Sequence, residues 1–329
     1  MKAFVVEKIG DKEFNADVKE ISKPTCGENE VIIEVTYSSL NFKDALSSTG
    51  NPGVTRKFPH VTGIDLAGTI HQSNSAVFKE GERVLVTGYD LGMNTDGGHS
   101  QFVKVPASWV VRTPDAISDS EIMTFGTAGL TAALSVFELE KNDITPESGP
   151  ILVTGATGGV GSIAVSILSK IGYQVVAISG KSEKTEFLKR IGASDVILRD
   201  EFNESSHKRP MHSETYAGVV DTVGGEILAN ALKYIKYDGV ATCCGLTSSH
   251  ELNTNVFPFI LRGVRLIGID SVECKLEKKQ KVWKKLSSKW KIDTLNNLTT
   301  EIDLDGIKEA YGNLLAGKAV GRYVVKIKD

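Results

Sequence analysis

The run Ile151-Leu152-Val153-Thr154-Gly155-Ala156-Thr157-Gly158-Gly159-Val160-Gly161 constrains the fold of this chain more than any other segment. An apolar strand enters a glycine-rich turn, and a helix leaves it with Val160, Ala164, Ile167 and Ile171 along one face. A second strand, Gln174 to Ile178, follows. Strand, turn, helix and strand in that order are the context a dinucleotide fingerprint requires. Gly158 would let the backbone approach a pyrophosphate, and Gly161 would let helix and strand pack closely. The helix N-terminus adds amides and the positive end of its dipole. Ala156 stands where the usual pattern has its first glycine, so the motif is an A-x-G-x-x-G variant. An ordinary tight strand-to-helix turn is the alternative reading.

The end of the second strand separates the two nicotinamide cofactors. A domain built for NAD usually places Asp or Glu there to hold the ribose hydroxyls. This chain has Ser179-Gly180-Lys181-Ser182, and Arg199 follows the next predicted strand, Val196 to Leu198. A hydroxyl, a free amide and a lysine would accept a 2′-phosphate that an acid would repel. NADP(H) is therefore expected over NAD(H), although a solvated lysine at a helix start is a common alternative for Lys181.

The organisation around this motif is an expectation of two domains, since 329 residues suffice for about two cores. Up to about residue 110 the chain carries short β-like runs: 31–35, 68–70, 83–86 and 101–105. Gly and Asn/Asp clusters separate them and suggest a barrel-like antiparallel domain. From Ser118 to Glu140 a helical stretch opens on a Ser118/Glu121 capping box and is broken at Gly126-Thr127-Ala128-Gly129. After Ile151, strands alternate with helices, the one over 183–191 stopping at Gly192. Strands are expected at 217–221, 239–243 and 265–269, which implies βαβ units and a parallel sheet. The tail, Gly321 to Ile327, reads as a last strand.

Composition excludes several classes. With 41% hydrophobic and 24% charged residues, disorder and fibrous repeats are ruled out as the main state. The balance of 38 basic against 41 acidic side chains argues against a protein-wide nucleic-acid surface. The Lys-rich run 275–285, with Leu276, Val282 and Trp283 interleaved, reads as a solvated helix face with buried anchors. No secretory signal and no membrane span are expected. Cys26, Cys243, Cys244 and Cys274 match neither a disulfide framework nor a zinc-site spacing, and suit reduced thiols in a cytoplasmic protein.

Seven ordered segments carry a resemblance along essentially the whole chain. They are the glycine turn, Ser39 to Leu46 (SLNFKDAL), Phe58 to Gly68, Gly126 to Ala132, Asp221 to Gly225, Pro258 to Arg262 and Gly268 to Val272. On these the chain resembles the medium-chain dehydrogenase/reductase superfamily, and most of all its zinc-free quinone oxidoreductase branch of the acryloyl-CoA reductase type. The resemblance implies a Rossmann doubly wound parallel sheet plus a mainly-β GroES-like irregular barrel. It places the GroES-like substrate domain at 1–124 and 271–329 and the NADP-binding domain at 125–270. It also implies a nicotinamide cleft between them and a homodimer. Zinc enzymes of the superfamily carry a Cys in the stretch that is Asn41 to Asp44 here, Gly-His-Glu where this chain has Gly63-Ile64-Asp65, and a four-cysteine lobe near residues 88–100. With those ligands replaced, no metal is expected.

The chemistry then expected is hydride delivery from NADPH to the β-carbon of an α,β-unsaturated carbonyl, acryloyl-CoA or a related short enoyl-CoA. An NADPH:quinone oxidoreductase is the alternative, and a non-catalytic NADPH-binding regulatory or RNA-binding protein the third reading. Carried over residue by residue, the resemblance puts Asn41 and Phe42 at the nicotinamide and substrate, and Thr127 and Thr131 near the nicotinamide ribose or phosphate. It puts Thr157, Gly158, Gly159 and Val160 on the pyrophosphate, and Ser179, Gly180, Lys181 and Arg199 around the 2′-phosphate. Cys244, Leu246, Ile260, Ile269 and Ser271 would line the cofactor groove, and Arg322 would meet the cofactor or a CoA phosphate. Tyr89 and bulk water are the candidate proton donors. Asp65 and Lys43 are read as structural polar partners, His99 as a loop residue and Cys244 as a packing residue rather than a nucleophile.

Overall fold

The computed structural model describes residues 1–206, 209–293 and 295–328. The chain divides into two compact units, Met1–Thr127 with Val272–Lys284 and Leu298–Asp329, and Ala128–Ser271 with Lys285–Asn297.

The first unit opens with strands β1 (Lys2–Lys8), β2 (Phe14–Glu20), β3 (Glu30–Ser39), β4 (His60–Val61), β5 (Asp65–Ser73), β6 (Arg83–Thr87), β7 (Phe102–Pro106) and β8 (Val111–Arg112). Helix α1 (Phe42–Ser48) leaves β3, and α2 (Asp119–Lys141) begins here. β3 is the hub, pairing antiparallel with β5 and β7. Its alternating Val31, Ile33 and Val35 are fully buried against Leu66, Val84, Val86 and Val103, the period-2 pattern of a half-buried strand. Each such side chain contributes roughly 1.5–3 kcal/mol by leaving water.

The second unit holds β9 (Ile151–Val153), β10 (Val175–Ser179), β11 (Asp195–Leu198), β12 (Tyr216–Asp221), β13 (Ile235–Cys243) and β14 (Arg265–Gly268). Helices α3 (Gly159–Lys170), α4 (Thr185–Arg190), α5 (Arg199–Ser206), α6 (Gly225–Leu232) and α7 (Phe257–Arg262) connect them. Every pairing in this six-stranded sheet is parallel, in the order β11-β10-β9-β12-β13-β14. The chain steps outward from β9 to one edge and then to the other, so β9 and β12 flank the switch point where such sheets bind ligands.

The chain returns through α8 (Leu276–Leu286), β15 (Thr299–Ile302), α9 (Ile307–Leu315) and β16 (Arg322–Lys326). β16 pairs with β3, and α9 packs its Ile307, Ala310 and Tyr311 into a core with Phe4, Leu40 and Ala45. In α8, Val282 and Trp283 are buried as anchors, as the pattern predicts.

Two expectations differ from the structure. Residues 271–329 do not stay together, because Lys285–Asn297 packs with the second unit. Lys285 Nζ bonds Glu140 Oε2 at 2.6 Å and lies over the Trp290 ring, and Lys170 pairs with Asp293. Trp290 and Ile292 are buried there. Secondly, α2 is long and apolar enough to cross a membrane by length and composition. It is a core helix, with 89% of its apolar window buried in the protein and a break at Gly126 (φ 51°, ψ −154°). The capping box at its start forms as expected, with Ser118 N donating to Glu121 Oε2 (2.8 Å) and Glu121 N to Ser118 Oγ (3.2 Å).

Candidate functional site

In the second unit, β9 runs out at Val153 and the chain turns at Gly155, whose φ of +58° suits glycine. The turn closes with Gly158 N donating to the Gly155 carbonyl at 2.9 Å. A Cβ on Gly161 would lie 2.3 Å from the Gly155 oxygen and 2.8 Å from Ala156 Cα, so only glycine lets α3 start this close to the turn. At Gly158 a Cβ would meet the Gly155 oxygen at 3.3 Å and nothing else within 4 Å. Gly158 is the N-cap of α3, so the first amides of the helix follow directly.

The switch point is tied together by Asp221 at the end of β12. Its carboxylate accepts from Thr154 Oγ1 (2.7 Å) and Gly224 N (2.8 Å). Burial pushes its pKa up, against those hydrogen bonds. Asp221 lay inside a resemblance segment without an assigned role. Only the fold reveals it as the clamp between β9 and β12.

Ser179, Gly180, Lys181 and Arg199 come together at the end of β10. Ser179 is buried and its Oγ accepts from Lys181 N at 3.0 Å. The Arg199 guanidinium lies over Gly180, with Cζ and Nη1 each 3.2 Å from where a Cβ would be. Its Nε donates to Asp200 Oδ1 (3.1 Å), and half of the side chain stays exposed. Partial burial draws the Lys181 pKa down. Two cations and a hydroxyl thus meet at a strand end that bears no carboxylate of its own.

Of the other expected cofactor residues, Thr131 and Ser271 are brought together, with Thr131 Oγ1 donating to Ser271 Oγ at 2.7 Å. Cys244 and Ile269 sit at adjacent strand ends, where Ile269 N reaches the Cys243 carbonyl and Cys244 N the Asp221 carbonyl. Burial lifts the Cys244 thiol to about 12, which keeps it protonated and suits a packing role. Leu246 and Ile260 stand out into solvent, 69% and 68% exposed.

The first unit contains a buried polar cluster that local sequence does not announce. Asp65, at the start of β5, accepts from Ser39 Oγ (2.7 Å), Asn41 Nδ2 (2.7 Å), Thr127 N (2.8 Å) and Thr127 Oγ1 (2.5 Å). Arg322, at the start of β16, donates to the carbonyls of Thr124 (3.1 Å) and Leu40 (3.0 Å), to Asn41 Oδ1 (3.4 Å) and to Ser39 Oγ (2.9 Å). This corrects the expectation for Arg322. At 4% exposure its guanidinium is spent on protein acceptors, not held out for a cofactor or CoA phosphate. Thr127 is likewise committed to Asp65. The structural reading of Asp65 holds.

Asp44 caps the start of α1 by accepting from Asn41 N (2.8 Å), and it also accepts from Gly63 N (3.2 Å) and Ile64 N (2.9 Å). Full burial, with Asp65 nearby, lifts its pKa to about 7. His99 is not a simple loop residue. It is fully buried, its Nδ1 faces Thr62 Oγ1 (2.9 Å) and Tyr311 Oη (3.0 Å), and its Nε2 faces the Ser39 carbonyl (3.3 Å). Burial drives its pKa to about 3, so it is a neutral imidazole.

Phe42, the residue after Asn41, is 43% exposed. Tyr89 has φ +54° and stacks on Trp109 (5.4 Å between centroids), with Lys279 Nζ 3.4 Å from its ring centre. Its hydroxyl reaches the Cys274 carbonyl at 3.5 Å, and burial raises its pKa. Two cavities of about 560 and 820 Å³ on this unit, around Phe78 and Arg83, are lined by none of the expected site residues.

The zinc positions can be tested on their donors. Where zinc enzymes carry the Cys and the Gly-His-Glu this chain has the Asn41–Asp44 stretch and Gly63-Ile64-Asp65. Ile64 offers no side-chain donor atom, and the oxygens of Asn41, Asp44 and Asp65 are already taken by backbone amides, hydroxyls and a guanidinium. Among the described residues no group of three His, Cys, Asp or Glu side chains is placed to hold a metal. This donor set does not fit zinc.

A mainly antiparallel unit carrying a buried polar cluster, with a six-stranded parallel sheet whose glycine turn sits at the switch point, defines a dehydrogenase/reductase architecture. Residues 27–115 match the family described as alcohol dehydrogenase GroES-like domain, and residues 159–288 that described as zinc-binding dehydrogenase. The acrylyl-CoA reductase AcuI of Ruegeria pomeroyi is 40% identical over 99% of this chain and 98% of its own. The yhdH oxidoreductase of Salmonella enterica, solved in complex with NADP, superposes with a TM-score of 0.95 at 39% identity, covering all of both chains. Bacillus subtilis yhfP, solved with NAD bound, gives 0.94 at 42% identity over 99% of each chain, and its protein carries a provisional quinone-oxidoreductase name. The chain belongs to the medium-chain dehydrogenase/reductase superfamily and is an oxidoreductase of its zinc-free branch.

Proposed function

We propose that this oxidoreductase uses NADPH to reduce the C=C bond of an α,β-unsaturated carbonyl, with acryloyl-CoA or a related short enoyl-CoA as the first-choice substrate. One observation carries the cofactor part: Arg199 lies over Gly180 beside Lys181 and Ser179, where selectivity for an unphosphorylated ribose needs a carboxylate. The NADP held by the Salmonella relative and the name of the Ruegeria relative support the reading.

Thr157, Gly158, Gly159 and Val160 hold the pyrophosphate at the start of α3, with Gly158 leaving room for it. Thr131, Ser271, Cys244 and Ile269 belong to the same proposed groove. When bound, NADPH supplies the hydride that reaches the β-carbon. Phe42 offers apolar surface to the acyl group, and the Asn41 amide donates to the carbonyl oxygen on which enolate charge develops. Water, rather than Tyr89, returns the proton to the α-carbon, because the Tyr89 phenol is pinned between Trp109 and Lys279 and holds its proton more tightly than usual.

Quinone reduction is the second reading, favoured by the name of the Bacillus relative. A homodimer is the proposed assembly, since β14 is the outer strand of its sheet and Val256, Ile260 and Leu261 beside it are 61%, 68% and 60% exposed. Cysteines without disulfide bonds suit a cytoplasmic setting.

The test is NADPH consumption with acryloyl-CoA, crotonyl-CoA and 1,4-benzoquinone in parallel. Thioester turnover at least tenfold above quinone turnover is expected. Quinone turnover without thioester turnover would replace the leading assignment by the second reading.

A further inference from the structure

We infer that Asp65 and Arg322 are positioning residues that lock the Asn41 carboxamide in one of its two orientations, presenting its remaining N–H as the donor to the substrate oxygen. The inference rests on the enone-reductase reading and adds residues that neither contact substrate nor belong to the cofactor cradle.

The amide of Asn41 lies between opposite charges. Its Nδ2 donates to Asp65 Oδ2 at 2.7 Å, and its Oδ1 accepts from Arg322 Nη1 at 3.4 Å. A flip of the amide would set its NH2 against the guanidinium and its oxygen against the carboxylate. Both new contacts would be repulsive and buried, so the observed orientation is enforced rather than chosen by small differences. Asp65 takes one of the two amide hydrogens. The direction of the second then follows from the planarity of the group.

Both charged residues are held from several sides. Asp65 is fixed by Ser39 and by both the amide and hydroxyl of Thr127. Arg322 is fixed by the Thr124 and Leu40 carbonyls and by Ser39. The break in α2 belongs to the same device. A Cβ on Gly126 would lie 2.5 Å from Asp65 Oδ2, 2.5 Å from Ser39 Oγ and 3.0 Å from Arg322 Nη2. Glycine there, with φ +51°, lets the helix turn its Thr127 amide onto Asp65.

Exposure indicates which member can meet a ligand. Asp65, Ser39 and Asp44 have none, while Asn41 keeps 8% and Thr127 is half-buried. The Thr127 hydroxyl gives its proton to Asp65 and Arg322 keeps only 4% exposure, so Asn41 is the cluster member that combines some exposure with an amide N–H not taken by Asp65. Two buried opposite charges that meet only through Ser39 and Asn41 are weak evidence for stability alone, because desolvation offsets their attraction. Orienting a nearly buried amide gives the two charges a purpose that stability does not.

The experiment is a pair of double-mutant cycles, measured with acryloyl-CoA and with 1,4-benzoquinone, each of which develops charge on a carbonyl oxygen. Asn41→Ala is expected to lower kcat by on the order of 10²-fold, the usual effect of removing one oxyanion donor. Arg322→Lys keeps the charge but loses the fork, and is expected to lower kcat about tenfold with the KM for NADPH unchanged. In the Asn41→Ala background the same Arg322→Lys change should alter kcat less than twofold, because the amide it orients is gone. Asp65→Asn supplies an independent cycle with the same expectation, should Arg322→Lys fail to give folded protein by thermal melting. Equal losses in both backgrounds would overturn the positioning role while leaving the reductase reading intact. Absence of wild-type turnover with both substrates would overturn the reductase reading, and this inference with it.

Discussion

The glycine turn of the second unit and the polar cluster of the first place polar groups by opposite means. The turn is contiguous and steric: it works by leaving side chains out, so that backbone amides emerge at the start of α3. The cluster is dispersed and electrostatic, and its Arg322–Ser39 bond spans 283 residues of sequence. A turn of the first kind should fail when a methyl group is added, whereas the cluster should fail when a charge is moved.

The largest effect is expected at Gly161. A methyl there overlaps backbone on two sides, the Gly155 oxygen and Ala156 Cα. Gly161→Ala should cost about 3 kcal/mol in urea unfolding and weaken NADPH binding at least 100-fold in a fluorescence titration. Gly158→Ala meets only one oxygen at 3.3 Å, so its stability should stay within ~1 kcal/mol while NADPH binding falls. Binding by Gly161→Ala within threefold of wild type would end the steric account of the turn.

Next in size is the pair of cations at the end of β10. Arg199→Ala should raise the NADPH Kd about 10- to 100-fold and leave the NADH Kd unchanged, the effect of losing charge-assisted hydrogen bonds to a phosphate. Lys181→Glu should go further and favour NADH. Titrating both cofactors against both variants decides the matter, because an intact NADPH preference in either would mean that the 2′-phosphate is read elsewhere.

The cluster side of the comparison can be tested with pH. Asp44 has its pKa raised to about 7, so between about pH 4 and 7 the folded chain keeps a proton that the unfolded chain has lost. Its contribution to stability is therefore present at low pH and disappears as pH rises through 7. His99, held near 3, is neutral where the unfolded chain is protonated, so its contribution disappears as pH falls below about 6.5. His99→Gln should be less stable than wild type at pH 7 through loss of the Thr62 and Tyr311 contacts. Its deficit should shrink by roughly 1.4 kcal/mol per pH unit from 6.5 toward 4. Urea midpoints at pH 4.5, 5.5 and 6.5 measure this, and a deficit constant with pH would show that His99 is not buried as a neutral ring.

This contrast also explains what could be read from sequence. The turn, the βαβ alternation, the missing acid after β10, the capping box of α2 and its break near Gly126 all lie within windows where periodicity and spacing carry the signal. Arg322 does not. Nothing near Gly321-Arg322-Tyr323 indicates that its partners are Thr124, Leu40, Asn41 and Ser39, so a late arginine reads as a phosphate ligand. Asp44 and Tyr311 were missed for the same reason, their burial being created by strands and helices far away in sequence. The return of Lys285–Asn297 to the second unit depends on Glu140 and Lys170, again remote. Resemblance supplied Asn41 as a site residue. Only the three-dimensional contacts supply the charges on either side of it.

The smallest effect should come from a feature wholly legible in sequence, the Ser118 cap. Ser118→Ala removes the acceptor for Glu121 N and should cost about 0.5–1 kcal/mol, the low end for an N-cap. The low end applies because Ile122, Met123 and Phe125 in the same half-helix are fully buried and hold it in place without the cap. That half-helix ends at the Thr124 carbonyl, which accepts from Arg322, so the cap and the cluster share a short stretch of backbone. If burial rather than capping fixes that backbone, kcat with crotonyl-CoA should remain within twofold of wild type while the urea midpoint shifts slightly. A tenfold fall in kcat at unchanged folding would mean that the local signal and the long-range cluster are coupled through α2, and the division between the two kinds of site would have to be redrawn there.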